Sequence, residues 1–319
     1  MKMPKHYSSI KRFMLLIIVL ISFSVPEKIF AQRKNSLKPG IFKGKIVFQS
    51  DPEEAGINIF VLDGKTGQVK QLTRLGANID PKWSPSGKEI AFASTREGRW
   101  DIYIMDSDGN NQKRVVHTKD GFSRDPRWNS DGKEIYFFSN ISGNLQENEV
   151  TLATGKVKTI FSTGNLMDSF GKGGGAGLMN AYEKLYKTIP APDDRYKLLY
   201  YAHARDNSMV LINNKTNAKT IIKKTGEPAW SKDSRQIAYF SNLWSTLVFY
   251  HLDNKHSEKI AIQSVANEYC GTPSWSEHAR KIVYYCGPET GPGQSWIYLL
   301  DVRTGKSIKL IEGLTPDWH

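Results

Sequence analysis

The sequence predicts an all-β fold, a six-bladed ring of four-stranded antiparallel blades, and three observations carry that prediction. A 15-residue segment recurs: DPKWSPSGKEIAFAS (80–94), DPRWNSDGKEIYFFS (125–139), EPAWSKDSRQIAYFS (227–241) and TPSWSEHARKIVYYC (272–286) align without a gap. Five of the eight tryptophans (Trp83, Trp128, Trp230, Trp275, Trp318) hold one position of that segment. The copies repeat at the period of propellers and solenoids, and each contains short alternating strands divided by Gly, Asp and Asn turns. A degenerate copy, IPAPDDRYKLLYYAH (189–203), aligned on Pro190, and a truncated one, TPDWH (315–319), bring the number to six.

Within a blade the first strand is Pro-x-Trp. A polar turn leads to a second strand such as Ile90 to Ser94, and the third reads DIYIMD (101–106), INIFVLD (57–63) or WIYLLD (296–301). Turns such as DGKTG and DVRTG then introduce a fourth strand, QVKQLT (68–73) or KSIKLI (306–311). TPDWH has no partner after it, while GKIVFQS (44–50) is a second strand with no Pro-x-Trp before it. The C-terminal strand is therefore expected to pair inside the first blade, closing the ring and hiding sheet edges that invite aggregation.

Residues 1 to 31 have the pattern of an export signal: Lys2, Lys5, Lys11 and Arg12, an apolar run from Phe13 to Val25, and a polar exit ending Ile29-Phe30-Ala31. Cleavage after Ala31 is expected, with a linker over 32–40 and the propeller over 41–319. The competing reading is an uncleaved anchor. The formal charge of +12 falls to +8 once the signal's five basic residues and one acid are gone. The excess Lys and Arg are spread along the chain, a weak footprint for nucleic acid. A periplasmic or secreted location follows, with no nucleic-acid partner.

These motifs resemble the propeller repeat of the TolB family, whose blades read P-x-W-S-P-D-G-K-x-I-A-F, then I-Y-x-M-D, then R-x-L-T. Here that appears as Pro81 to Phe92, Ile102 to Asp106, and Gln71-Leu72-Thr73. TolB carries an α/β domain before its propeller, and about ten mature residues precede the first strand here, so the resemblance implies a TolB-type propeller without that domain. It implies a non-enzymatic envelope adaptor, a monomer binding an envelope or peptidoglycan-associated protein at one mouth of the ring. Similar repeats form peptidase-gating propellers and oligogalacturonate lyases. The second reading is thus a glycan-active enzyme, such as a polysaccharide lyase using His203 or Arg205 with a mouth carboxylate, with or without a bound metal.

The loops entering the first strands and leaving the second strands share one end of an antiparallel hairpin. That end collects Asp80, Asp125, Glu227, Thr272 and Thr315, with Arg96, His203 and Arg205. Asp, Glu and Thr there also begin strands for local reasons. The 64-residue interval before Pro190 locates an insert, 164–188, at the same end, and long connections in compact domains tend to be functional. Within it Tyr182 and Tyr186 are four apart and could share a helical face. GKGGGAG (171–177) lacks the Lys-Ser/Thr ending of a phosphate loop and reads as a flexible lid.

Cys270 and Cys286 are symmetric about the hairpin turn, which sets them opposite each other and favours a disulfide over free thiols or a metal pair. DSDGNN (106–111) has its Gly and its twelfth residue, His117, wrong for a calcium loop. The seven histidines show no H-x-x-x-H spacing and no G-x-S-x-G is present, so neither cofactor nor metal is expected.

Overall fold

A computed structural model describes residues 37–319 apart from 52–55, 142–143, 163–185, 202–207, 224, 242–244, 263–267 and 289–293. Among the described residues, 24 strands form six four-stranded sheets. Blade one holds β1 (Lys45–Ser50), β2 (Asn58–Asp63) and β3 (Val69–Gln71); blade two holds β4 (Asn78–Trp83), β5 (Glu89–Ser94), β6 (Asp101–Asp106) and β7 (Lys113–Val116). Blade three holds β8 (Gly121–Trp128), β9 (Glu134–Ile141), β10 (Asn144–Thr151) and β11 (Lys156–Ser162). Blade four holds β12 (Tyr186–Pro190), β13 (Tyr196–Tyr201), β14 (Ser208–Asn213) and β15 (Lys219–Lys223). Blade five holds β16 (Ala229–Trp230), β17 (Gln236–Phe240), β18 (Thr246–His251) and β19 (Ser257–Ala261). Blade six holds β20 (Glu268–Trp275), β21 (Lys281–Pro288), β22 (Trp296–Asp301) and β23 (Lys306–Glu312).

The last strand, β24 (Leu314–Trp318), lies antiparallel to β1 and completes blade one, as the unpaired ends of the sequence require. Asp317 ties this closure to both neighbours. Its Oδ2 accepts the Trp83 amide at 2.8 Å and its Oδ1 accepts the Ser274 hydroxyl at 3.0 Å, while Ser274 Oγ accepts the Trp318 amide at 3.0 Å. One carboxylate thereby joins blades six, one and two.

The repeated tryptophan has a structural cause. Trp128, Trp230 and Trp275 fill the gap between blades, and each Nε1–H donates to an inner-strand carbonyl of the preceding blade: Lys82 at 3.0 Å, Ile189 at 3.1 Å and Ala229 at 3.2 Å. An indole supplies a large apolar body and one donor, which suits a seam between two sheets.

These contacts also correct the alignment of the fourth copy. Pro190 pairs with Lys197 as Trp83 pairs with Ile90, and Ala191 N–H donates to the Tyr196 carbonyl as Ser84 N–H does to Glu89. Pro190 therefore stands in the tryptophan position, two residues from its place in the sequence alignment. The matching proline is Pro192, equivalent to Pro85 in the turn, and Asp194 takes the left-handed conformation (φ 57°) of Gly87 (φ 65°). The expected insert is shortened accordingly: 186–188 belong to β12, so Tyr186 lies on a strand and not on a helix shared with Tyr182.

Candidate binding site at the mouth of the ring

With the register corrected, one residue per blade stands three positions before the tryptophan: Asp80, Asp125, Lys187, Glu227, Thr272 and Thr315. Four of them, Asp80, Asp125, Thr272 and Thr315, have φ between 42° and 56°. The following proline cannot donate to the ladder, and in blades two, three and six the pairing slips around this dipeptide as a β-bulge. Aspartate tolerates left-handed backbone better than β-branched threonine, so Thr272 and Thr315 are strained positions.

Blade four departs from this pattern because Thr188 replaces the proline. Its register runs unbroken from Tyr186 to Pro190. Thr188 has an N–H to give and donates it to Glu147 Oε1 at 2.7 Å, while its hydroxyl donates to Oε2 at 2.7 Å. Arg127 pairs with the same carboxylate at 3.1 Å, and both charged side chains are buried, at 8% and 1% exposure.

Lys187 is the cation in a ring of acids and hydroxyls. Its ammonium lies 2.8 Å from Asp125 and 2.9 Å from Glu227, linking blades three, four and five. Burial alone would lower the pKa of this lysine, but Asp125 and Glu227 outweigh it and hold the ammonium charged well above the ordinary lysine range. Burial would raise Asp125 likewise, yet Lys187 and Arg127 keep it below the usual carboxylate range. Among the described residues Asp80 makes no ion pair. Burial, then the charge of Asp125, pushes its pKa up to about 6.

The rim continues on both sides. Gln49 Oε1 accepts the Asp80 amide at 2.8 Å and the Thr315 hydroxyl at 2.9 Å, joining blades one and two. On blade six Tyr269 and Tyr285 face each other at 6.1 Å, and burial with the nearby Glu227 charge pushes Tyr269 up to about 12. The disulfide lies beside them: Cys270 and Cys286 are directly paired, with Cα atoms 4.1 Å apart.

The structure thus brings Asp80, Asp125 and Glu227 onto one rim. Arg96 is engaged elsewhere: its guanidinium donates to Ser94, Gln112 and Asn78 and stacks on Tyr103 at 4.5 Å, bracing blade two. Tyr182, His203 and Arg205 lie outside the described residues. Sequence reading missed Lys187 and Gln49; Pro192, matched to the turn proline, is the signal that finds Lys187. Among the described residues no three His, Cys, Asp or Glu side chains are grouped to hold a metal ion.

Residues 42–175 match the family described as TolB beta propeller domain. Over that span the chain carries a TolB-type propeller repeat. A curated relative, the Tol-Pal system protein TolB of Syntrophus aciditrophicus (strain SB), is 40% identical over 38 residues, 12% of this chain and 8% of the relative. The chain therefore aligns with under a tenth of that protein's length. Among solved structures, TolB from Acinetobacter baumannii superposes with a TM-score of 0.65 at 16% identity, covering 88% of this chain and 67% of that one. A putative TolB from Agrobacterium tumefaciens gives 0.55 at 13% identity, covering 84% and 88%. At such identities the TolB-type likeness of the two structures is one of fold.

Proposed function

We propose that this chain is a non-enzymatic adaptor of the cell envelope, exported by its first 31 residues, which binds an envelope or peptidoglycan-associated protein at the mouth lined by Asp80, Asp125, Lys187 and Glu227. The observation that carries the reading is the double ion pair of Lys187. It fixes Asp125 and Glu227 as a rigid pattern of charge, which suits recognition of a surface better than proton transfer. The repeat and the short match to a Tol-Pal system protein support an envelope setting. Among the described residues no helix is long and apolar enough to cross a membrane.

The test is calorimetric titration of the purified chain with the soluble domain of a peptidoglycan-associated protein from the same organism. Binding that Asp80→Lys weakens at least about tenfold, one unit of 1.4 kcal/mol, is the expected result. Full affinity in that variant, or no binding by the wild type, would overturn the proposal. Release of unsaturated uronides from polygalacturonate would favour the lyase reading instead.

A further inference from the structure

Five of the six seams between blades are sealed by clusters of nine to eleven buried apolar side chains. Between blades three and four, among the described residues, the cluster contains one buried member, Leu145, with Phe122, Phe138 and Phe161 partly buried against it. The strand register shows which side chains line this seam. Leu198, Tyr200, Met209, Leu211 and Ile222 of blade four pack against blade five, so Leu199, Val210 and Ile221, opposite one another across the ladder, face blade three. Ile135, Phe137 and Val150 of blade three pack against blade two, so Tyr136, Glu149 and Lys158, also cross-strand neighbours, face blade four.

The inner end of the seam is closed by Arg127, Glu147 and Thr188, and from there outward it opens. Tyr136, Phe138, Leu199 and Val210 are half-buried, and Ile221 is 65% exposed. The second-strand residues that match Leu199 in the other blades, Phe48, Phe92, Phe137, Tyr239 and Tyr284, are each at most 6% exposed. The outer-strand places that match Ile221 hold Gln71, Arg114, Thr159, Lys259 and Lys309, so an apolar side chain there is particular to blade four. The lip of the groove is basic. Lys156 and Lys158 on β11, and Lys219 and Lys223 on β15, are exposed, and none forms an ion pair among the described residues. Glu149, across from Lys158, is the neighbouring acid, and burial followed by the charge of Glu134 raises its pKa. Both β11 and β15 are the last strands of their sheets, so each has an unpaired edge of backbone donors and acceptors.

We infer that the groove between blades three and four is a second interaction surface, separate from the mouth, that takes an extended acidic segment of a partner protein with an apolar side chain seated against Ile221. The apolar walls give the anchor its contact area, the four lysines attract its carboxylates, and the free strand edges offer main-chain hydrogen bonds in the manner of strand addition. Acidic peptide is favoured over a basic one because the lip carries four cations in two facing rows.

The test uses the full chain and a fluorescent decapeptide alternating Leu with Glu, against a counterpart alternating Leu with Lys, read by polarisation. The acidic peptide binds at least tenfold tighter. Ile221→Glu and the double variant Lys158→Glu/Lys219→Glu each weaken it at least tenfold while melting as the wild type does, and Asp80→Lys leaves it unchanged, which separates this surface from the mouth. No preference between the peptides overturns the inference, as does unaltered binding by both groove variants. Binding seen only when residues 164–185 are deleted assigns the groove to the chain's own segment and overturns it too. Capture by vesicles of anionic phospholipid with no peptide binding assigns the patch to a membrane surface.

Discussion

The seams on either side of blade one and the seam between blades three and four solve one packing problem in opposite ways. Around blade one, Phe48, Trp83, Trp318 and their neighbours exclude water, and a single carboxylate, Asp317, is shared by two donors. Between blades three and four, among the described residues, two ion pairs lie at the seam, and Arg127 Nη2 is buried without a hydrogen-bond acceptor among them. Apolar burial stabilises in proportion to the area removed from water, whereas a buried ion pair returns little beyond its own desolvation. The strong side beside blade one is thus sealed as the other apolar seams are, and among the described residues the seam opposite it is the weaker, more chemically distinctive one.

Removing residues 315–319 attacks the strong side and has the largest expected effect. It strips the inner strand from blade one and exposes the seam that Trp318 fills; thermal unfolding drops by at least about 4 kcal/mol, the scale of one buried tryptophan. An unchanged melting curve would break the comparison. Next is the staple on blade six: replacing Cys270 and Cys286 by Ala costs about 3 kcal/mol in chemical denaturation, from the short loop the bond closes.

On the other side Lys187→Met keeps the length of the side chain and removes its charge, leaving Asp125 and Glu227 facing each other. Both carboxylates retain some solvent, so the loss is about 2 kcal/mol rather than the larger cost of a fully buried pair. Added salt should narrow the gap to wild type, by screening the repulsion left behind. The smallest effect belongs to Asp80. Its folded pKa of about 6 exceeds the ordinary 3.8, so its favourable contribution is complete below the ordinary value and is lost as pH rises through 6. Asp80→Asn also tolerates the left-handed backbone, and should raise stability by about 1 kcal/mol above neutral pH and by nothing near pH 4, measured by denaturation across that range.

The strong side was legible in the sequence because its physics is local and repeated. Each Pro-x-Trp announces a strand and the indole that fills the seam to the preceding blade, and the symmetric cysteines announce their own pairing. The weak side was harder to read for a physical reason. Blade four lacks the tryptophan, and with two prolines only two residues apart, Pro190 and Pro192, the alignment fell on the wrong one. The error hid Lys187, whose role depends on acids 62 residues before it and 40 after it. Arg127 and Glu147 were equally silent, since a buried pair across a seam leaves no spacing signature. Asp80, Asp125 and Glu227 share a rim because the repeat itself places them three residues before its tryptophan.

The pairing of Val47 with Asp317 also sets a clock. The inner edge of the first blade must wait for β24, and at ordinary rates of synthesis the wait between β1 and β24 is on the order of tens of seconds. Through that interval β1 presents an open edge of Ile46, Val47 and Phe48, all buried in the finished ring. Ring closure thus waits until β24 has been made, and until then a nascent chain is a substrate for any holdase that reads exposed β-edges.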